Sequence, residues 1–256
     1  MVLDEFNLQG RVAIVTGGTS GIGEAVALAL AEAGADVVAT SRTRSKVEKV
    51  SEKLRQAGAK TIEITTDVTR TQEIEGLKEQ VLAEFGRIDI LVNNAGMTIK
   101  KKAEELELAE WQRIIDLNLT SVFACSQIIG RQMIAQKSGK IINIASVGSS
   151  LAIRRSVAYC ASKGGVEQLT KVLASEWVEY GIQVNAIAPG YITTPLTEGM
   201  LKDEGFMTRL RNRVPMKRTG RADELKGLAV YLASSASSYM TGEVVYVDGG
   251  WSILGV

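Results

Sequence analysis

Histidine is absent from the 256 residues. That absence removes the serine-histidine-acid triad, the cysteine-histidine pair and histidine-ligated metal catalysis, so proton transfer falls to tyrosine, lysine, a carboxylate or water. Cysteine is nearly absent as well. Cys125 and Cys160 alone make neither a disulfide framework nor a four-cysteine zinc site, and no metal is expected. With three prolines and no repeat or low-complexity tract, no linker announces itself, and a single domain over residues 1–256 is expected. No apolar run approaches the ~20 residues of a bilayer span. Met1 to Gly10 carry acidic residues where a secretory leader would be basic and then apolar, so a cytoplasmic protein with no membrane partner is expected. Charge of one sign is missing too: 30 basic against 29 acidic residues leave +1. Such a balance creates no field for nucleic acid or anionic lipid, and a small-molecule partner is the expectation.

What is present is a sizeable core and a repeating pattern. Hydrophobic residues make up 45% of the chain, ample for one large α/β domain. Short β-branched runs at Val12–Thr16, Asp36–Thr40, Thr61–Thr65, Ile88–Val92, Lys140–Ala145, Gln183–Ala188 and Val244–Val247 are mostly apolar on both faces, as buried parallel strands are. Amphipathic segments alternate with them: about 21–33, 44–57, 72–85, 108–136, 157–180 and 223–234. Strand and helix in alternation predict a doubly wound parallel sheet of seven strands with helices on both faces, and ligands at the strands' carboxyl ends.

Tyr159 and Lys163 stand four residues apart, so on a helix they share one face. A nearby cation favours phenolate and brings a phenol towards neutral-pH proton exchange. The same spacing is also common helix decoration. Ser146 follows the apolar run ending at Ala145, which puts its hydroxyl at a strand's carboxyl end beside that pair.

The first strand ends in Thr16, Gly17, Gly18, Thr19, Ser20, Gly21, Ile22, Gly23. Glycines here let the backbone turn sharply and approach a pyrophosphate at the helix start; three glycines in a turn also serve the turn alone. At the second strand's end the chain has Thr40, Ser41, Arg42, Thr43, Arg44 and no carboxylate. A carboxylate would hold an adenosine ribose and repel a 2′-phosphate, so Ser41 and Arg42 favour NADP over NAD.

These residues resemble the short-chain dehydrogenase/reductase family. The likeness spans nearly the whole chain: the glycine turn, Asp67 with Val68, the tetrapeptide Asn93, Asn94, Ala95, Gly96, then Asn118, Ser146, Tyr159 with Lys163, Pro189 with Gly190, and Asp248, Gly249, Gly250. It implies a single-domain Rossmann fold and a catalytic tetrad. Tyr159 would exchange the proton, Ser146 hold the substrate oxygen, Lys163 bind the nicotinamide ribose and favour phenolate, and Asn118 anchor a relay water. It also implies that Asp67 and Val68 meet the adenine, that Asn94, Ala95 and Gly96 line the cofactor, and that Ile192 and Thr194, past Pro189 and Gly190, contact the carboxamide. Each has a plainer alternative, Asp67 as a helix cap and Pro189-Gly190 as a turn.

Within that family the variable segment 195–213 reads as a substrate lid, rich in glycine, methionine and mixed charge. Arg154 and Arg155, between Ser146 and Tyr159, are candidate partners for a substrate carboxylate, with a solvated pair or a subunit contact as the alternative. The carboxyl-terminal region, with Arg218, Thr219 and Gly220 before 225–234 and then 247–251, resembles gluconate 5-dehydrogenases and related sugar-acid reductases, and also 3-oxoacyl-carrier-protein reductases. The expected reaction is reversible hydride transfer between NADP(H), or NAD(H), and a secondary alcohol or ketone of the gluconate type. A β-ketoacyl thioester is the alternative substrate, and a nicotinamide-sensing regulator the alternative role. The resemblance further implies a homotetramer, for which Trp251, Ile253, Leu254 and Val256 would supply apolar contact.

Overall fold

Parallel pairing begins at β1 (Val12–Thr16), which lies between β2 (Asp36–Thr40) and β3 (Ile90–Asn93) in a computed structural model that describes residues 1–253. From β3 the sheet continues through β4 (Gly139–Ile144) and β5 (Ile182–Pro189) to β8 (Val244–Val247), in the order β2-β1-β3-β4-β5-β8. A second, two-stranded parallel ladder joins β6 (Ile192–Thr193) to β7 (Gly220–Arg221). Because chain order reverses on either side of β1, the carboxyl ends of β1 and β3 flank the crevice where such sheets bind ligands.

The main sheet has six strands among the described residues, not seven. The segment Thr61–Thr65 runs beside β2 but closes only one bridge, Ser41 with Thr65. Backbone bonds flank the segment, from the Val37 amide to the Lys60 oxygen and from the Thr66 amide to the Ser41 oxygen, both at 3.1 Å; within it side chains bond two carbonyls, the Thr40 hydroxyl donating to the Ile64 oxygen at 2.7 Å and the Arg44 guanidinium to the Glu63 oxygen at 3.0 Å.

Alternation along each strand divides the core in two. Ala13, Val15, Val37, Ala39, Ile90, Val92, Ile142 and Ile144 face α1 (Gly21–Glu32) and α9 (Lys226–Ala233), while Val12, Ile14, Val38, Leu91, Ile141 and Val184 face α3 (Thr71–Phe85), α5 (Ser121–Gln136) and α6 (Val157–Trp177). Period-two side-chain direction is what lets a parallel sheet bury both faces.

The long helix expected over 108–136 is interrupted. It consists of α4 (Leu108–Ile115), a π turn at Asp116–Thr120 and α5; such single π turns insert one extra residue and cluster at functional sites. Helix 157–180 ends its α portion at Trp177, and 223–234 opens with a 3₁₀ turn over Ala222–Leu225. The lid segment contains α7 (Glu198–Leu201) and α8 (Glu204–Arg213), and its two ends are held together by the β6–β7 ladder. Leu254 and Val256 of the expected apolar tail lie outside the described residues. Trp251 stacks on Tyr191, with ring centroids 5.2 Å apart, and Ile253 is exposed.

Candidate active site

A cleft of about 460 Å³ opens over the carboxyl ends of β1 and β3. Its outer end is built by the turn after β1, where Gly17 and Gly21 take φ of +60° and +57°, a left-handed conformation that costs other residues. A Cβ on Gly17 would sit 2.9 Å from the Ala95 backbone, so the turn and the loop after β3 are in direct contact. Asn94 locks them: its amide nitrogen donates to the carbonyls of Thr16 (3.1 Å) and Gly17 (2.9 Å). The Thr19 hydroxyl donates to that of Ser41 at 3.0 Å, tying the turn to the end of β2. Backbone amides and the positive dipole end of α1 therefore face the cleft, which suits a pyrophosphate.

Gly17, Thr19, Ser20, Gly21, Ile22, Ser41, Arg42, Asp67, Val68, Asn94, Ala95, Gly96, Ser146, Tyr159, Lys163, Pro189, Gly190, Ile192 and Thr194 all line this one cleft. Gly23 does not. It sits behind the turn, where a Cβ would come within 2.3 Å of both the Asn94 amide nitrogen and the Gly17 oxygen. Lys46, on α2 (Arg44–Gln56), lines the cleft beside Arg42 and was not anticipated from the sequence. The signal was its place in the first turn of the helix after β2, on the end facing the cleft. Neither Arg42 nor Lys46 has an ion-pair partner among the described residues, whereas Arg44 is held by Glu48 and Glu63. Burial pushes the Asp67 carboxyl up, but bonds from Thr69 and the nearby Arg42 and Arg70 outweigh it and hold it below its ordinary value.

The inner end carries the titratable groups. Ser146 leaves β4 and caps a 3₁₀ turn, its Oγ accepting from the Gly148 amide at 3.1 Å; the hydroxyl proton is therefore free to point elsewhere. Tyr159 and Lys163 sit on the first two turns of α6, with the Lys163 Nζ 5.9 Å from the Tyr159 ring centre. Burial raises the phenol's pKa, and the Ser146 hydroxyl works against that rise by favouring phenolate. Burial also lowers the Lys163 ammonium to about 8; among the described residues it donates to the Ile144 carbonyl, at 2.6 Å.

Asn118 lies beneath the cleft rather than in its lining. It is fully buried in the π turn, with Oδ1 accepting from the Met97 amide (2.9 Å) and Nδ2 donating to the Met97 carbonyl (2.8 Å). Arg154 and Arg155 are exposed and outside the lining; Arg155 takes a positive φ of 63°, and its carbonyl accepts from the Lys101 amide at 3.0 Å. Lys100 is half-buried, as is Lys101 beside it. Burial lowers its pKa, with Cys160 raising it and Arg155 lowering it, so its amine stands near both. Lys101 pairs with Glu110 and Lys102 with Glu104 and Glu105, but Lys100 has no carboxylate among the described residues.

The family model described as Enoyl-(Acyl carrier protein) reductase matches residues 17–252. The 2-dehydro-3-deoxy-D-gluconate 5-dehydrogenase of Dickeya dadantii (strain 3937) is 43% identical over 252 residues, covering 98% of this chain and 99% of that protein. The gluconate 5-dehydrogenase of Gluconobacter oxydans (strain 621H) is 39% identical over 250 residues, 98% of each chain. Among solved structures, a gluconate 5-dehydrogenase from Burkholderia cenocepacia J2315, in complex with NADP and tartrate, superposes with a TM-score of 0.96 at 40% identity over 100% of both chains. A parallel sheet that reverses at β1, a glycine turn opening α1, Ser146 beside Tyr159 and Lys163, and these full-length likenesses establish that the chain belongs to the short-chain dehydrogenase/reductase family.

Proposed function

We propose that this protein is an NADP(H)-dependent oxidoreductase that interconverts a secondary alcohol and a ketone on a sugar acid of the gluconate type. The observation that carries the reading is one continuous cleft with two cations that have no ion-pair partner among the described residues, Arg42 and Lys46, at its outer end and Ser146, Tyr159 and Lys163 at its inner end. The named relatives act on gluconate-type acids, and the solved neighbour holds NADP.

The fit to a dinucleotide rests on the turn after β1. Gly17 and Gly21 leave out the side chains that would fill the cradle: a Cβ on Gly21 would meet the Thr194 side chain at 3.2 Å. Backbone amides at Ser20 to Ile22 hold the pyrophosphate, Asp67 and Val68 the adenine, and Arg42 with Ser41 and Lys46 the 2′-phosphate. Ile192 and Thr194 orient the carboxamide, and Lys163 binds the nicotinamide ribose. When bound, the nicotinamide supplies or accepts the hydride.

The chain's own residues manage the proton. In ketone reduction Tyr159 gives its phenolic proton to the substrate oxygen as charge develops there, and Ser146 donates a hydrogen bond to the same oxygen. Its Oγ accepts from Gly148, which aims the hydroxyl as a donor. The Lys163 cation favours the phenolate left on Tyr159. With the Asn118 side chain committed to Met97, the relay water is assigned to that residue's backbone in the π turn. For the substrate carboxylate, Lys100 joins Arg154 and Arg155 as a candidate partner: all three lie outside the cleft lining, and Lys100 is half-buried, is influenced by Cys160, the neighbour of Tyr159, and lacks a carboxylate of its own among the described residues.

We further assign the protein to the cytoplasm as a homotetramer. Cys125 and Cys160 are free thiols, at home in a reducing compartment. Leu108, Phe123, Val157 and Val172 leave apolar surface exposed on α4, α5 and α6, as an interface would.

The test follows nicotinamide absorbance with 5-ketogluconate, other keto sugar acids and acetoacetyl thioesters. Fast reduction of a keto sugar acid, lost in Tyr159→Phe, is expected. Preference for the thioesters, with a Lys100→Ala, Arg155→Ala variant unaffected, would replace the sugar-acid assignment.

A further inference from the structure

One fully buried hydroxyl stands between two groups of the site just described. Ser162 Oγ donates to the Tyr159 carbonyl at 2.7 Å and accepts from the Asn118 Nδ2 at 3.2 Å, and Ser162 is 0% exposed. Asn118 in turn grips both backbone groups of Met97, a residue of the cleft lining. The four residues form one connected line from the loop after β3, through the π turn, to the first turn of α6. Contact is close along that line: a Cβ on Gly165, one turn further along α6, would stand 2.7 Å from the Leu119 side chain. Helix α6 therefore seats directly on the π turn, with Ser162 as the polar joint.

We propose that Ser162 is a positioning residue for the reaction, setting the place of Tyr159 relative to the cofactor-facing loop at Met97 by bonding Asn118 and the Tyr159 carbonyl at once. This rests on Tyr159 as the proton donor. A hydroxyl fits the position because one atom both donates and accepts. Alanine would leave an Asn118 N–H buried without an acceptor and free the Tyr159 carbonyl from its side-chain bond. Serine bonds back to the preceding turn often bend a helix, and here the bond is made to the residue that carries the phenol. The phenol must lie within hydrogen-bond reach of the substrate oxygen, and small displacements of such a group are costly to rate.

The experiment compares wild type, Ser162→Ala, Ser162→Cys, Ser121→Ala and Tyr159→Phe with NADPH and the ketone reduced fastest in the screen above. Ser121 is the structural control: it is also buried, and its Oγ donates to the Leu117 carbonyl at 2.6 Å in the adjoining turn, with no hydrogen bond to Asn118 or Tyr159 among the described residues. Ser162→Ala is expected to lower kcat about 10- to 100-fold and displace the pH profile of kcat, with KM for NADPH changed by no more than about twofold. Ser162→Cys, similar in size and a weaker donor, should fall between it and wild type. Ser121→Ala should keep kcat within about threefold of wild type whatever its effect on Tm. Added to Asn118→Ala, Ser162→Ala should cost little more, since both cut the same line. The proposal is overturned if Ser162→Ala keeps wild-type kcat and pH profile, if Ser121→Ala loses as much at the same fall in Tm, if Ser162→Cys equals wild type, or if the two losses simply multiply. An active Tyr159→Phe would instead overturn the proton-donor reading. An inactive Tyr159→Phe beside an unaffected Ser162→Ala removes only the role given to Ser162.

Discussion

The ammonium of Lys163 donates to the backbone carbonyl of Ile144 at 2.6 Å in a site that leaves the side chain 4% exposed. A carbonyl returns only part of the hydration that a buried cation gives up, and burial accordingly lowers the group to about 8 from its ordinary 10.5. In the unfolded chain the lysine holds its proton up to the higher value. Unfolding therefore takes up a proton between the two pKa values, and stability rises with pH across that window. Below the lower value the penalty is fully present, on the order of 3 kcal/mol. Lys163→Met should thus abolish turnover yet stabilise the fold by about 1–2 kcal/mol at neutral pH, after allowing for the lost bond to Ile144. Urea titrations at pH 7 and pH 10 check this, with the gain expected to shrink at the higher pH. A variant less stable than wild type at pH 7 would contradict it.

Cofactor choice should depend on Arg42 and Lys46 together. Both side chains are exposed, so solvent screens each contact, and a charge-assisted bond to a 2′-phosphate there is worth about 1–2 kcal/mol, with loss at high salt. Alanine at either position should lower kcat/KM for NADPH by about 5- to 30-fold and leave NADH nearly unchanged. Measuring both cofactors at two ionic strengths decides the matter. Equal losses with NADH would mean that these residues support the fold and not the phosphate.

Gly23 is a packing requirement of the turn. A methyl group there meets the Asn94 amide nitrogen and the Gly17 carbonyl at 2.3 Å, and the second of these is backbone. Gly23→Ala should cost about 1–3 kcal/mol by overpacking and raise KM for the cofactor more than it lowers kcat, because the displaced turn is the one proposed to hold the pyrophosphate. Thermal unfolding and cofactor titration give the two readouts. Gly18→Ala, whose Cβ would meet the Val15 oxygen at 2.8 Å and the Ala39 side chain at 2.9 Å, should lose stability as well.

Light scattering should return about four times the chain mass of 27.5 kDa, as expected of a closed symmetric assembly. Phe123 and Val172 are 44% and 51% exposed; a charge at both, Phe123→Glu with Val172→Glu, should reduce the mass without unfolding the chain. A wild-type mass near 27.5 kDa would refute the assembly.

Sequence alone determined the parallel sheet, since seven apolar runs separated by amphipathic segments report which residues avoid water, and six of those runs became strands of the main sheet. It determined the glycine turn and the shared face of Tyr159 and Lys163 for the same reason: short spacings translate directly into local geometry. Tertiary structure decided what depends on competition between distant groups. Thr61–Thr65 closed a single bridge to Ser41 and no ladder, with the Thr40 hydroxyl and the Arg44 guanidinium bonded to two of its carbonyls. The helix over 108–136 acquired a π turn where Asn118 turns inward to bond Met97, and periodicity carries no mark of one inserted residue. Only folding set Arg42 and Lys46 on the wall of the cleft that holds Tyr159, while leaving Lys100, Arg154 and Arg155 outside its lining. Likewise Ser162, which on the helix pattern is one more small buried residue, became the atom joining Asn118 to Tyr159, because a hydrogen bond needs a partner at about 3 Å and that partner is 44 residues away in the chain.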